Sequence, residues 1–325
     1  MNIKFATFNL FQFTAPPFSW YFKKDRFTKE QWERKVTWIK DQIKLLDADI
    51  IGFQEVFSIE ELKELCKELG YEHFLSVDKP KTNTKNPTIY KTTVLALASR
   101  FPIISNKNVR YDVPSIRKHN FKDKFAFSRV PIKAIIELPN KTKIAVYVNH
   151  LKSNRLNEFE YIFKEGTPLK EKIEKTKIAL ENDFSSVLKQ RLIEASSLYM
   201  EIKESKIPTI FLCDLNDKEF SMTIDALCNK AYHEESQDDK YILFDAYYHH
   251  EEEIYNPHPE QKSIERTPTS YHFADGNVID YIFVSNDLKD KIISYKVFDE
   301  HLKRNQNGSL EESDHAQVVC EIDID

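Results

Sequence analysis

The sequence predicts an α/β fold of two packed sheets with a helical layer outside each. Three observations predict it. Eight short apolar runs, rich in Val, Ile and Phe, are bounded by Pro, Asn, Asp or Lys, which is the pattern of buried strands. Amphipathic helical stretches lie between them. The chain has 325 residues, of which 41% are hydrophobic, enough to fill a core on both faces of a sheet.

The predicted strands are Ile3–Leu10, Ile50–Val56, Thr93–Ser99, Lys133–Leu138, Lys143–His150, Thr209–Cys213, Val278–Ser285 and Ala316–Ile322. Lys29–Leu46 reads as a helix because Trp32, Val36, Ile39, Ile43 and Leu46 recur at three- and four-residue spacing. Ile59–Leu69 reads as a second, with Ser58 as N-cap and Gly70 closing it. Val187–Ile202 carries Leu188, Leu192, Ala195, Leu198 and Ile202 on one face. One domain over residues 1–325 is expected, with no internal repeat. Two stretches depart from the plan. Residues 155–189 are rich in Lys and Glu with a G-T-P break at Gly166–Pro168, and read as an inserted, mostly helical, solvent-facing excursion. Residues 234–260 hold nine acidic residues and one basic residue, and read as a solvated acidic loop.

Composition excludes several functions. Only five glycines occur, and neither G-x-G-x-x-G nor G-x-x-x-x-G-K-[ST] is present, so phosphate must be held by side chains and metal. The four cysteines are scattered; Cys213 and Cys320 sit in apolar runs, as free buried thiols do. The chain opens directly on a strand and no apolar run is long enough to span a membrane, which predicts a cytoplasmic protein. Net charge is −5. The segment from Asp78 to Lys133 is nevertheless basic, with thirteen Lys or Arg against three Asp. It reads either as a solvated loop or as a surface beside the catalytic mouth.

Six strand ends carry one inventory of polar residues: T-F-N-L (Asn9), G-F-Q-E-V (Glu55), N-H-L-K-S (His150), C-D-L-N-D (Asp214, Asn216), V-I-D-Y-I-F-V-S (Asp280) and S-D-H-A-Q-V-V (Asp314, His315). Carboxylate and amide oxygens suit a hard divalent cation. Two histidines suit proton transfer or phosphate stabilisation, and no paired-cysteine pattern suggests zinc. Glu55 ends a buried strand, so its charge must be solvated, paired or bound to metal. C-D-L-N-D reads either as an Asx turn or as an extended segment in which Asp214 and Asn216 point the same way. In the second reading Asp214 accepts a proton from water and Asn216 donates to a phosphoryl oxygen.

In this order the six motifs resemble the endonuclease/exonuclease/phosphatase family, over Asn9 to Val319 with the Arg155–Lys189 excursion and the acidic loop left outside the resemblance. F-S-R-V-P-I-K-A-I-I, with Arg129, is similar to the family as well. The resemblance implies a four-layer α-β-β-α sandwich of two mixed sheets, deoxyribonuclease I-like. It implies Mg²⁺ or Mn²⁺ on Glu55 with Asn9 beside it and Asp314 on the metal side. It also implies a phosphate grip by Arg129, Asn216, His150 and His315, with Asp280 fixing the His315 tautomer. His150 is similar to the histidine of the deoxyribonuclease, neutral sphingomyelinase and deadenylase branch; the glutamate that orients it in the deoxyribonuclease is not found in Asn86–Leu97. Cys213 replaces the glycine of the usual G-D-x-N. G-N-V-I-D-Y lacks both the P-x-W-C-D-R of inositol-polyphosphate 5-phosphatases and the tryptophan of abasic-site enzymes. The expected activity is metal-dependent phosphodiester hydrolysis on nucleic acid, DNA or RNA, with a phospholipid or sugar phosphate as the alternative substrate.

Overall fold

The eight expected runs form the middles of two six-stranded sheets; three of the edges, His73–Leu75, Ile103–Asn106 and Leu243–Asp245, are too short to read from sequence, and the fourth, seven-residue Ile292–Phe298, is an edge strand that the sequence reading lacked. A computed structural model describes residues 1–153, 162–181, 186–233, 242–250, 266–272, 275–304 and 311–324. Its strands are β1 (Asn2–Phe13), β2 (Ser19–Trp20), β3 (Ile50–Val56), β4 (His73–Leu75), β5 (Ile89–Tyr90), β6 (Val94–Ser99), β7 (Ile103–Asn106) and β8 (Ile132–Glu137). They continue with β9 (Lys143–His150), β10 (Thr209–Asp214), β11 (Leu243–Asp245), β12 (Ser270–His272), β13 (Asp275–Asn277), β14 (Asp280–Ser285), β15 (Ile292–Phe298) and β16 (Gln317–Asp323). The helices are α1 (Lys29–Leu46), α2 (Ile59–Glu68), α3 (Val113–Lys118), α4 (Leu169–Glu181), α5 (Ser186–Ser205), α6 (Met222–Cys228) and α7 (Glu300–Arg304).

Sheet one runs β15-β16-β1-β3-β6-β4 and sheet two runs β11-β14-β10-β9-β8-β7. Both are mixed: β1 is parallel to β3 and β10 to β9, and their other pairings are antiparallel. The facing sides interdigitate through Phe5, Leu97, Val146, Val148, Leu212, Ile282 and Val318. Outside sheet one, Ile39 and Ile43 of α1 and Leu62 and Leu65 of α2 cover Phe8, Phe53 and Ala96. Outside sheet two, Leu192 and Leu198 of α5 and Ala226 of α6 cover Tyr147, Phe211 and Phe283. Truncating one such core side chain costs roughly 2–5 kcal/mol. At Gly52 the two sheets approach too closely for a side chain to fit without a shift. A Cβ there would lie 3.0 Å from Val148 and 3.1 Å from the Leu212 Cβ.

Several sequence expectations change. Ser58 does not cap α2 with its side chain; its Oγ accepts from the Ala15 N–H at 2.8 Å, tying the end of β1 to the end of β3. The capping box lies at α1, between Thr28 and Gln31. β1 runs on past Leu10 to Phe13, with Phe11 and Gln12 in the left-handed region. Of residues 155–189, α4 is not wholly solvent-facing. Lys172 and Thr176 are buried, and Lys172 pairs with Asp225 of α6 at 2.7 Å. Residues 154–161 and 182–185 lie outside the described residues. Of the acidic stretch, 234–241 and 251–260 lie outside them too; Leu243–Asp245 forms edge strand β11, and Asp245 pairs with Arg266 at 2.6 Å. All four cysteines are free. Among the described residues no helix is long and apolar enough to cross a membrane.

Candidate functional site

Parallel pairing brings β1 beside β3 and β9 beside β10, so their C-terminal ends emerge on one edge of the sandwich. Asn9, Glu55, His150 and Asp214 sit at those ends. Asp280 is opposite Asp214 in the antiparallel β10–β14 ladder. The turn into β16 adds Asp314 and His315.

Buried Asp214 is the centre. Its Oδ2 accepts from Asn9 Nδ2 at 3.0 Å and faces His150 Nε2 at 3.3 Å, and its Oδ1 accepts from the Asn216 N–H at 2.8 Å. That last bond is an Asx turn, with Asn216 at φ 51°, so Asp214 and Asn216 do not lie on one extended segment. The chain leaves the strand at Asp214 because a short side chain offers its backbone a local acceptor. Asn216 Nδ2 then donates to the Leu151 carbonyl at 3.2 Å, which leaves its second amide hydrogen for another acceptor. Burial, with Asp280 adding, raises Asp214 to about 7.

His315 Nδ1 meets Asp280 Oδ2 at 2.9 Å. Burial opposes a charged ring here. The Asp280 and Asp314 carboxylates outweigh it and hold His315 well above the ordinary histidine value. His150 behaves oppositely. Burial, Arg129 and His315 all press its pKa well below the usual value, so the neutral ring is favoured and its 3.3 Å approach to Asp214 is not that of an ion pair. Its Nδ1 is buried with no hydrogen-bond partner among the described residues, in keeping with the missing glutamate. Cys213 causes no crowding: its thiol turns into the α5 side of sheet two and reaches the Tyr281 carbonyl at 3.4 Å.

The other half of the site is built on sheet one. Glu55 is half-buried, at φ 61°, and its Oε2 accepts from the Gln12 N–H at 3.0 Å. Asn9 Oδ1 accepts from the Phe11 N–H at 3.0 Å. Phe11, Gln12 and Glu55 thus cluster three left-handed residues around two ligand-type side chains, a strain that persists only where surrounding contacts fix it. The Asp314 side chain is 53% exposed and lies 3.8 Å from His315 Nε2. Burial raises the Glu55 pKa, and the Asp314 charge raises it further. This like-charge repulsion between hard oxygen donors is what a divalent cation relieves, so the residues present fit such an ion. Asp214, Asp280 and His315 also bring one ligand-type atom each within 4.8 Å of one another. An ion there would displace the His315–Asp280 hydrogen bond.

Arg129 joins the site from the turn before β8, donating to the Leu151 carbonyl at 2.9 Å. Three other basic residues of the 78–133 segment do not. Arg100 pairs with Asp47 and Asp49 at the opposite end of β3, Lys133 is buried against Glu201 at 2.6 Å, and Lys118 donates to the Tyr232 carbonyl at 3.0 Å. Two residues were missed by sequence reasoning. Tyr21 lies beside Arg129 and Glu55, and burial, then the Glu55 charge, raise its pKa. Lys35 of α1 is 0% exposed, with its ammonium 5.7 Å from the Phe11 ring centre and 5.4 Å from that of Phe27. Burial lowers Lys35 to about 7 against the pull of Asp314 and Glu55. Its place on an apolar helical stripe, where Ile39 and Ile43 follow, was the available signal.

The fold has solved relatives. One is a Bacteroides vulgatus endonuclease/exonuclease/phosphatase, 16% identical, matching 100% of each chain at TM-score 0.59. Another is the human Nocturnin catalytic domain, 18% identical, matching 99% of this chain and 94% of that one at TM-score 0.56. A third is a Bacteroides thetaiotaomicron mannosyl-6-phosphatase, 15% identical, matching 99% and 100% at TM-score 0.52. These likenesses are likenesses of fold. No curated protein matches the sequence. The model of the Endonuclease/Exonuclease/phosphatase family matches residues 6–315, a span that takes in every polar site residue of the six motifs, from Asn9 to His315, and the chain belongs to that family of phosphoesterases.

Proposed function

We propose that the protein is a divalent-metal-dependent phosphodiester hydrolase acting on nucleic acid, DNA or RNA, by in-line attack of water. The observation that carries the chemistry is the meeting of Asp214, held near neutral pKa, with a neutral His150 and a charged His315–Asp280 pair, opposite Glu55 and Asp314. Glu55, Asp314 and Asn9 would hold Mg²⁺ or Mn²⁺, which neutralises charge on a phosphoryl oxygen when bound. Asp214 accepts the proton of the attacking water; a base poised near pH 7 suits that task. Asn9 and the Asn216 N–H fix the direction of its carboxylate. His315, oriented by Asp280, carries positive charge to the phosphate and has a proton to give. Arg129 and the free hydrogen of the Asn216 amide hold non-bridging oxygens, and His150 faces the same space.

A polymer substrate is supported by the lobe made of β2, β5 and their flanking loops. Its side chains are aromatic and basic. Trp20, Phe27 and Phe57 form its core, and Phe22 is 64% exposed with the Lys91 ammonium 5.5 Å from its ring centre. Lys23, Lys24, Lys79, Lys81 and Lys85 are exposed on it and make no ion pair among the described residues. Tyr21 brings the lobe next to Arg129. This lobe, rather than the Lys118 region, is the surface for phosphates beyond the scissile one.

The test uses Mg²⁺- and Mn²⁺-loaded protein on single- and double-stranded DNA, RNA, bis-p-nitrophenyl phosphate, a phospholipid and a sugar phosphate. Substituting Lys79, Lys81 and Lys85 together by Gln should raise KM for long nucleic acid and flatten its log-salt dependence. Each lost duplex phosphate contact is worth about 0.9 in that slope. Bis-p-nitrophenyl phosphate hydrolysis should be unchanged. Turnover of only the phospholipid or the sugar phosphate would replace the nuclease reading with the small-phosphoester one.

A further inference from the structure

Three groups of the site depend on one turn, and that turn is held from behind. His150 is the last residue of β9. The next carbonyl, that of Leu151, accepts from both Arg129 at 2.9 Å and Asn216 at 3.2 Å. The peptide after it is gripped at both ends by α5. Glu194 Oε2 accepts from the Lys152 N–H at 2.9 Å, and Arg191 Nη1 donates to the Lys152 carbonyl at 3.3 Å. Glu194 Oε1 also accepts from the Ser128 N–H at 2.6 Å, the residue immediately before Arg129. Gln190, one turn earlier on α5, donates to Glu194 Oε1 at 2.9 Å and to the Ala126 carbonyl at 2.8 Å. Arg191 Nε reaches Asp217 Oδ2 at 3.3 Å, in the loop that carries Asn216, and Thr223 donates to the same oxygen at 2.6 Å.

Glu194 and Arg191 are each 1% exposed. Burying a charged side chain is costly unless hydrogen bonds compensate it. Here the compensation comes largely from backbone groups of two separate segments, both leading to site residues. An apolar pair would pack α5 onto sheet two without that cost, and it would leave the Ser128 and Lys152 N–H groups unheld. The charge is therefore spent on position.

We propose that Glu194 and Arg191 are positioning residues: α5 fixes the Arg129 guanidinium and the His150 turn relative to Asp214. The proposal rests on reading Arg129 as the phosphate grip. Its function is geometric, and a displacement of about 1 Å at such a group is enough to cost about 10²-fold in rate.

The test compares Glu194→Ala, Glu194→Gln, Arg129→Ala and the Glu194→Ala/Arg129→Ala double variant in the full chain. Three readouts are used: bis-p-nitrophenyl phosphate kinetics, calorimetric binding of inorganic phosphate to the Mn²⁺-loaded protein, and amide exchange at Ser128 and Lys152. Glu194→Ala should lower kcat/KM about 10²-fold. It should also weaken phosphate binding and expose both amides to exchange, with Mn²⁺ affinity unchanged because Glu55 and Asp314 lie on the other sheet. Glu194→Gln keeps one acceptor oxygen and should recover part of each loss; it carries the test if the alanine variant does not fold. In the Arg129→Ala background, Glu194→Ala should cost clearly less than it does in the native chain, because only the His150 turn is left for it to hold. Multiplying losses in the double variant, or phosphate affinity unmoved while the amides become exposed, would overturn the proposal. A native protein that binds phosphate through Arg129 yet hydrolyses no phosphodiester would sink the hydrolase reading and leave the positioning role standing.

Discussion

The two halves of the site solve the charge problem in opposite ways. In one half, Asp214, Asp280, His150 and Asn216 of sheet two meet Asn9 of β1 and His315 from the turn into β16; hydrogen bonds join Asp214 to Asn9 and Asn216, and Asp280 holds the His315 ring towards its charged form. On sheet one, Glu55 and Asp314 repel each other, the backbone around Glu55 is left-handed, and the compensating cation is Lys35, buried in aromatic rings. The first half is organised by the chain alone. The second is organised for a charge that the chain does not fully supply. On the proposed reading the difference divides the labour: proton transfer falls to the Asp214 cluster, and cation binding to Glu55 and Asp314.

The largest effect should come from removing that missing charge. Excess chelator should abolish phosphodiester turnover, and restored Mg²⁺ or Mn²⁺ should return it. Turnover that survives chelation would erase the contrast between the halves. Next, Asp214→Asn and His315→Ala should each lower kcat by about 10²–10⁴-fold, with the circular-dichroism spectrum and the Mn²⁺ affinity unchanged. His150→Ala should act on the same scale; near-native rates on every substrate would make that histidine structural. Glu55→Gln should raise the metal concentration for half-maximal activity while leaving kcat at saturating metal less affected than Asp214→Asn does. If the metal requirement stays put, Glu55 is not a ligand.

Lys35→Met sharpens the comparison further. Removing the internal cation leaves more negative potential around Glu55 and Asp314, so Mn²⁺ should bind severalfold more tightly by calorimetry. Weaker binding would show instead that Lys35 mainly holds Phe11 and the turn behind Asn9. The smallest effect lies away from the site. Burial lowers His119 from 6.5 to about 4, and its Nε2 lies 3.2 Å from the Tyr232 hydroxyl. Its folded pKa is below its unfolded one, so the unfolded chain takes the proton first. Stability is therefore lost as pH falls from about 6.5 towards 4. His119→Gln should flatten the melting temperature across that window, and an unchanged slope would assign the acid sensitivity elsewhere.

Sequence by itself determined a good deal. Strand and helix periods are local, so β3, β9 and α1 were legible to the residue, and the polar residues that end the apolar runs marked the site edge. The inventory of acids, amides and two histidines named the chemistry before any geometry was available. Tertiary structure decided what those residues do to one another. Asn9 and Asp214 are 205 positions apart, and the Ser313 hydroxyl that donates to the Asn9 carbonyl is 304 away. No local period carries such distances; the register between strands does. It made Asp214 the hub, turned C-D-L-N-D into an Asx turn, buried Lys35, and used up Lys118, Lys133 and Arg100 on packing. A side chain's type is written in the sequence. Its charge state and partner depend on burial and on neighbours drawn from distant segments, and only the packed sheets bring those together.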